Sequence, residues 1–176
     1  LGTGTTVEHH VTMSYWNVLP NDTLAAVQHR NLVTVGGVHY SPDEQAFAER
    51  IRATLIGPAA ALGSQAAIQP MKVGTVGTAS TDLGDVSWVV PTVEVDAATF
   101  VPGVLPHTWQ AVACAGSSIG IKGMLVAAKA MASTAADLYR DPGVLAAART
   151  EFLRRRGAGY TYASLAPERP PLEYRK

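Results

Sequence analysis

The residues able to do chemistry concentrate in positions 80–109, STDLGDVSWVVPTVEVDAATFVPGVLPHTW. Asp82 and Asp85 open this stretch in an acidic turn, a β-rich run with Trp88 follows, and His107 closes it in Pro-His-Thr-Trp. Carboxylates and an imidazole at the ends of a buried strand are the donors used by a metal or a polar catalytic site. The same residue types are ordinary in loops. A loop at a strand end presents an imidazole well, but zinc takes three or four protein ligands, and no second histidine lies near His107. From the residues alone both readings stand: a metal half-site, or a loop.

Other chemistries find no footing. Gly116-Ser117-Ser118 is not a Gly-x-Ser-x-Gly nucleophile elbow, and neither a phosphate-binding Gly-rich loop nor a dinucleotide fingerprint occurs. A single cysteine, Cys114, excludes an internal disulfide and a paired-cysteine zinc site. It fits a reducing, cytoplasmic setting, and with nothing basic beside it the expectation is a buried, inert thiol. Fourteen basic and fourteen acidic side chains balance, so no field of one sign draws the chain to nucleic acid or anionic lipid. No apolar run is long enough to span a bilayer, and the opening residues lack a signal-peptide pattern. The chain starts at Leu1 with Gly-Thr-Gly-Thr-Thr leading into a strand pattern, which reads as the interior of a larger protein.

The elements around the stretch follow from periodicity. Residues 7–17 alternate, with Val7, His9, Val11, Met13 and Tyr15 on one face, predicting a half-buried strand whose His9 and His10 point oppositely. A short helix over 23–32, capped by Asp22, comes next. Val35-Gly36-Gly37 forms a joint and a candidate domain boundary. Ser41-Pro42-Asp43-Glu44 has the form of a capping box, and Phe47, Ile51 and Leu55 mark the face of a helix stopped at Gly57-Pro58. Residues 59–69 are Ala-rich loop or weak helix, and the glycines at 74 and 77 belong to a surface loop or a backbone close to a ligand. Residues 86–90 and 93–95 read as two short strands interrupted by Pro91. A helix over 119–139 carries Ile121, Met124, Leu125, Ala128, Ala132, Ala135 and Leu138 on one face, whose alanines imply close packing on a sheet. A second helix follows Asp141-Pro142-Gly143, with Leu145, Ala148 and Phe152 inward. Arg154, Arg155 and Arg156 form its solvated end, complementing the helix dipole. Tyr160-Thr161-Tyr162 predicts a last strand, and Pro167, Pro170 and Pro171 an extended tail.

Three segments together carry a resemblance. Ser-Thr-Asp-Leu-Gly-Asp-Val-Ser-Trp-x-Val-Pro-Thr from Ser80, Pro-His-Thr-Trp-Gln-Ala-Val from Pro106, and Ile-x-x-Lys-Gly-Met-x-x-Ala-Ala-Lys from Ile119 are similar to the C-terminal part of aminobenzoyl-glutamate hydrolase-like amidohydrolases. These belong to the aminoacylase/carboxypeptidase family of two-metal peptidases. Residues 14–23, the Tyr40-Ser41-x-x-Glu44 helix start and 144–162 extend the likeness over most of the chain.

The resemblance implies an α/β fold. Residues 1–36 would be the last strand and helix of an α+β lid that makes a homodimer, and 37–176 the returning half of a catalytic domain with a mixed sheet flanked by helices. His107 matches the family's C-terminal metal-ligand histidine, one of the set that holds two divalent ions, zinc or manganese. Thr81 and Asp82 match a Gly-Thr-Asp turn that lines the substrate site, with Ser80 here in place of the glycine. The reaction implied is hydrolysis of the amide of an acylated amino acid or short peptide, aminobenzoyl-glutamate being nearest. The family's His-x-Asp motif, bridging aspartate and Glu-Glu pair with its general base have no counterpart here. Catalysis therefore implies the N-terminal portion as partner, in the same or a second chain. The alternative is a non-catalytic fragment or partner subunit serving dimerisation or substrate binding.

Overall fold

A computed structural model describes residues 2–9, 11, 13–75, 77 and 79–165. His10, Thr12, Val76, Thr78 and the tail prolines Pro167, Pro170 and Pro171 lie outside the described residues. In chain order the helices are α1 (Asp22–Val35), α2 (Pro42–Arg52), α3 (Leu83–Ser87), α4 (Trp109–Ala115), α5 (Ser118–Arg140) and α6 (Pro142–Arg156), with a 3₁₀ turn at Ser64–Ala66. The α1 helix lies against α5 and α6, and α5 also packs on α4.

Local chemistry accounts for the helix ends. Ser41 Oγ accepts from the Glu44 amide and Glu44 Oε2 accepts from the Ser41 amide, closing the capping box that the sequence predicts. Asn21, not Asp22, caps α1, its Oδ1 accepting from Leu24 N at 3.0 Å. Asn21 Nδ2 also donates to the Ala148 carbonyl of α6, so tertiary contact decides which of two good capping residues is used. Gly36 ends α1 at φ 83°, whereas Gly37 lies so close to the Ala66 backbone that a side chain has no room. The α2 helix stops at Arg52, ahead of Gly57-Pro58, where the Ala53 and Thr54 amides bond back to Glu49 and Ile51.

One core joins Ala48 and Ile51 of α2, Val101 and Val104, Ala111 and Cys114 of α4, and Ile119 of α5, with Phe47 and Leu55 packed against it. Cys114 is fully buried and unpaired by a disulfide, as its sequence context predicts.

The strands expected at 7–17, 86–90, 93–95 and 160–162 are absent among the described residues, and so is the mixed sheet. A strand needs a neighbour to pair with, and none is found for 7–17, 93–95 or 160–162 among the described residues. At 86–90 a tertiary clasp overrides β propensity instead. Ser87, fully buried, accepts from Leu19 N at 2.8 Å and donates to the Gly84 carbonyl, while Gly84 itself abuts the Trp16 carbonyl. The turn is thereby wound into α3.

Helix α5 is turned over relative to the face that periodicity predicts. Ile119, Gly120, Gly123, Ala130 and Thr134 face inward, while Ile121, Met124 and Leu125 are about half exposed. Gly123 permits this: a Cβ there would sit 2.7 Å from the Ala98 carbonyl. On α6, Ala148 and Phe152 point inward as expected, but Leu145 is exposed. The arginine end of α6 is engaged rather than simply solvated. Arg155 pairs with Asp22, and Arg156 stacks 4.8 Å from the Phe152 ring centre.

Candidate active site

His107 stands at φ 62°, in the left-handed region that a non-glycine residue seldom adopts. It follows Pro106 and precedes Thr108, whose hydroxyl caps α4 by accepting from Ala111 N at 3.2 Å. The cap anchors the loop, and the backbone twist leaves the imidazole exposed beside an open hollow of about 420 Å³. Phe100, Thr108, Ala111, Val112 and Ala115 form its other walls. Strain of this kind collects where a side chain must be aimed, at a cost on the order of 1–3 kcal/mol.

The acidic turn resolves into two different carboxylates. Asp85 accepts from Trp16 N at 3.1 Å and faces Tyr162, whose phenol pKa is raised by burial first and then by that charge. It is a structural clasp. Asp82 and Thr81 are both exposed; the Thr81 hydroxyl accepts from Leu83 N at 3.2 Å. Behind the turn stands an aromatic cluster. Trp88 lies 5.4 Å from Trp16 and 4.8 Å from Tyr160 between ring centres, with its indole N–H bonded to the Asn17 carbonyl at 2.7 Å. Trp16 Nε1 bonds the Ala163 carbonyl at 2.9 Å, so three distant segments meet behind residues 81–85. Neither Thr81 nor Asp82 lines the hollow beside His107.

A tetrahedral zinc needs three or four protein donors. Among the described residues no group of three or more His, Cys, Asp or Glu side chains comes together, so these residues by themselves do not fit a metal ion. His107 has no such set of donors around it among the described residues.

Two buried carboxylates that no sequence motif assigns to a site tie helices together elsewhere in the chain. Glu44 accepts from Ser41 N, from Ser118 Oγ at 2.7 Å and from Lys122 Nζ at 2.5 Å, and Lys122 also donates to the His39 carbonyl. Burial pushes the Glu44 pKa up, but the hydrogen bonds from Lys122, the Ser41 amide and Ser118 outweigh it and bring it to about 2. Glu151 of α6 accepts from the Asp22 and Thr23 amides at 2.9 Å each and from the Thr23 hydroxyl at 2.6 Å, capping α1 from outside. Burial again opposes ionisation, and those bonds with the Arg155 charge bring its pKa to about 2. Arg155 Nε lies 2.8 Å from Glu151 Oε1 without hydrogen-bond alignment, so that contact is an ion pair only. The capping box is a legible signal for Glu44. Nothing local to Glu151 announces its partners, which are roughly 130 residues away in sequence.

A larger cleft, about 480 Å³, opens between α1, residues 64–72 and residues 93–98, over the buried Gln28 whose Nε2 has no partner among the described residues. It is lined by neither His107 nor the 81–82 turn.

Comparison with known proteins finds relatives that share part of their length with this chain. Over 169 aligned positions, 35% are identical to a curated protein of Escherichia coli (strain K12), a p-aminobenzoyl-glutamate hydrolase subunit. The chain is similar to that hydrolase. A second relative, the Xaa-Arg dipeptidase of Mus musculus, is 33% identical over 155 positions. The matches take in 82% and 86% of this chain but 35% and 29% of the relatives, so the chain spans about a third of their length. No family model matches the chain, and no solved structure does. The resemblance carried by the 80–129 motifs thus extends across most of the sequence.

Proposed function

We propose that this chain is the C-terminal part of a metal-dependent amidohydrolase that cleaves the amide of an N-acyl amino acid or short peptide, with an aminobenzoyl-glutamate-like substrate. The observation that carries the reading is His107. Within a chain similar to a hydrolase and a dipeptidase, an exposed imidazole held at φ 62° by a capped helix start is presented for use rather than for packing.

The residues divide the work as follows. His107 contributes one ligand to a two-ion site, zinc or manganese, whose other ligands and general base lie in the N-terminal portion. A divalent ion at such a site supplies Lewis-acid polarisation of the scissile carbonyl. Thr81 and Asp82 line the substrate side, and Asp85 with the Trp16–Trp88–Tyr160 cluster fixes the turn that bears them. The division into a lid piece (1–36) and a catalytic piece (37–176) with a mixed sheet, pairing of lids in a homodimer, and a cytoplasmic location all belong to this reading.

The test is hydrolysis of p-aminobenzoyl-glutamate by three samples: the 176-residue chain, the chain joined to the part of the Escherichia coli relative outside the match, and the joined protein with His107→Ala. Activity should appear only in the second. Metal-dependent hydrolysis by the isolated chain, or full activity in the His107→Ala protein, overturns the proposal.

A further inference from the structure

The hollow of about 420 Å³ beside His107 has walls that a ligand role for the imidazole leaves unexplained. One side is a face of α4, where Thr108, Ala111 and Ala115 recur at helical spacing with Val112 beside them, and Phe100 adds an aromatic wall. Ala111 is buried and Ala115 exposed, so only methyl groups limit the space there. Phe100 is half-buried and packed against the core, which holds its ring in place, while Val112 is 75% exposed. Among the described residues no carboxylate, ammonium or guanidinium lines the hollow. Its one hydroxyl is already engaged: Thr108 Oγ1 donates to the Leu105 carbonyl at 2.8 Å and accepts from Ala111 N at 3.2 Å. The imidazole is left as the polar group that meets whatever enters.

We infer that this hollow is the acyl subsite of the enzyme. It takes an aromatic or bulky apolar acyl group, with the scissile carbonyl toward His107 and the charged amino-acid half directed away, and Phe100, Val112 and Ala115 set the preference for that group. The inference rests on the amidohydrolase reading above, and three arguments choose the acyl half over the amino-acid half. The first is polarity. A carboxylate placed here would leave water with no donor but the imidazole to replace it, whereas an aryl or branched alkyl group gains by leaving water. The second is size, since about 420 Å³ is far more than an acetyl group fills and falls in the range of small-molecule pockets. The third is chemistry of contact: the Phe100 ring offers an aromatic partner at which a second ring can stack or meet edge to face. The reacting amide lies between the two halves of the substrate, so the apolar walls beside His107 fix which half lies on which side.

The experiment uses this chain joined to the unmatched part of the Escherichia coli relative and measures kcat/KM for N-benzoyl-glutamate, N-acetyl-glutamate and N-acetyl-leucine. The unaltered protein is compared with Ala115→Phe, which fills the hollow, and Val112→Asn, which makes its wall polar. Both positions are exposed, so both variants should keep the melting temperature of the parent. The benzoyl-to-acetyl ratio on glutamate should exceed about tenfold in the unaltered protein, fall at least tenfold in Ala115→Phe and fall about threefold in Val112→Asn. The leucine-to-glutamate ratio at a constant acetyl group should move by less than about twofold. A benzoyl preference indifferent to both variants overturns the inference. So does a change confined to the leucine-to-glutamate ratio, which would put the amino-acid side chain in the hollow. An equal loss on all three substrates would mean that polypeptide covers the hollow, and overturns it as well. Hydrolysis with indifferent ratios leaves the proposed function standing and this inference fallen. If the joined protein hydrolyses nothing, the 176-residue chain decides by nuclear magnetic resonance titration with benzamide against acetamide. Saturable shifts of the Val112 and Ala115 methyl signals with benzamide alone, lost in Ala115→Phe, would keep the hollow as an aryl site while the amidohydrolase reading falls. Absence of those shifts would overturn both.

Discussion

The two ends of this chain's polar chemistry are built in opposite ways. Around Glu44 and Glu151 every charge has been answered: each carboxylate collects amide, hydroxyl and cationic donors, and each locks two helices together. Around His107 no hydrogen bond or ion pair to the imidazole is found among the described residues. The imidazole is exposed, its backbone is strained, and α4 and α5 beside it turn apolar side chains outward. A satisfied carboxylate with a pKa near 2 does structural work, because its charge has no freedom left for catalysis. The contrast separates carboxylates that hold helices together from an imidazole left exposed on a strained backbone.

Breaking the contrast from either side gives effects of different sizes. The largest is on activity. In the joined protein His107→Ala should lower kcat/KM by at least a thousandfold, more than about 4 kcal/mol of transition-state stabilisation, measured by steady-state hydrolysis. The circular-dichroism melt of the isolated chain should hardly move. Glu151→Ala should do the opposite. It strips three donors at the α1 N-terminus of their acceptor and leaves Arg155 with Asp22 alone, so the isolated chain should lose on the order of 3 kcal/mol in urea unfolding.

The same carboxylates set an acid limit. Both have folded pKa values of about 2, below the ordinary 4.5, so their stabilisation is complete above pH 4.5 and is lost as pH falls toward 2. Melting temperature should therefore drop between about pH 4.5 and 2, and Glu44→Gln should flatten part of that drop. A profile unchanged by Glu44→Gln would show that its hydrogen-bonded partners do not favour the ionised form.

The smallest expected effect sharpens the contrast most. Relief of the left-handed strain by His107→Gly should raise the stability of the isolated chain by about 1 kcal/mol, whereas His107→Ala, which keeps a Cβ, should not. A gain of stability on losing the side chain would show that the backbone at His107 is held under strain.

How much of this picture is legible in the amino-acid sequence depends on where each determinant sits. Elements fixed locally are legible: the Ser41–Glu44 capping box, the α5 and α6 helices, the Asp141 start of α6, and buried Cys114. Helix α4 is too short to show a period, although Thr108 stands where its cap must be. What depends on distant partners is not legible. Residues 86–90 have the composition of a strand, but Ser87 and Trp88 are tied to residues 17–19 and the turn winds up. The outer strip of α5 has the pattern of a buried face, because periodicity reveals an apolar side without telling which neighbour covers it. In the candidate site, His107 is visible only through its motif. Its strained backbone emerges from the fold, as does the separation of Asp85, tied to Trp16, from exposed Asp82.

The central claim is that His107 is one ligand of a metal site completed outside this chain, and zinc titration by calorimetry tests it most directly. The isolated chain, wild type or His107→Ala, should show no tight zinc site. The joined protein should bind two ions, and His107→Ala should weaken at least one of them by a hundredfold or more. Tight zinc binding by the isolated chain, or a joined protein whose zinc affinity is indifferent to His107→Ala, would contradict the account.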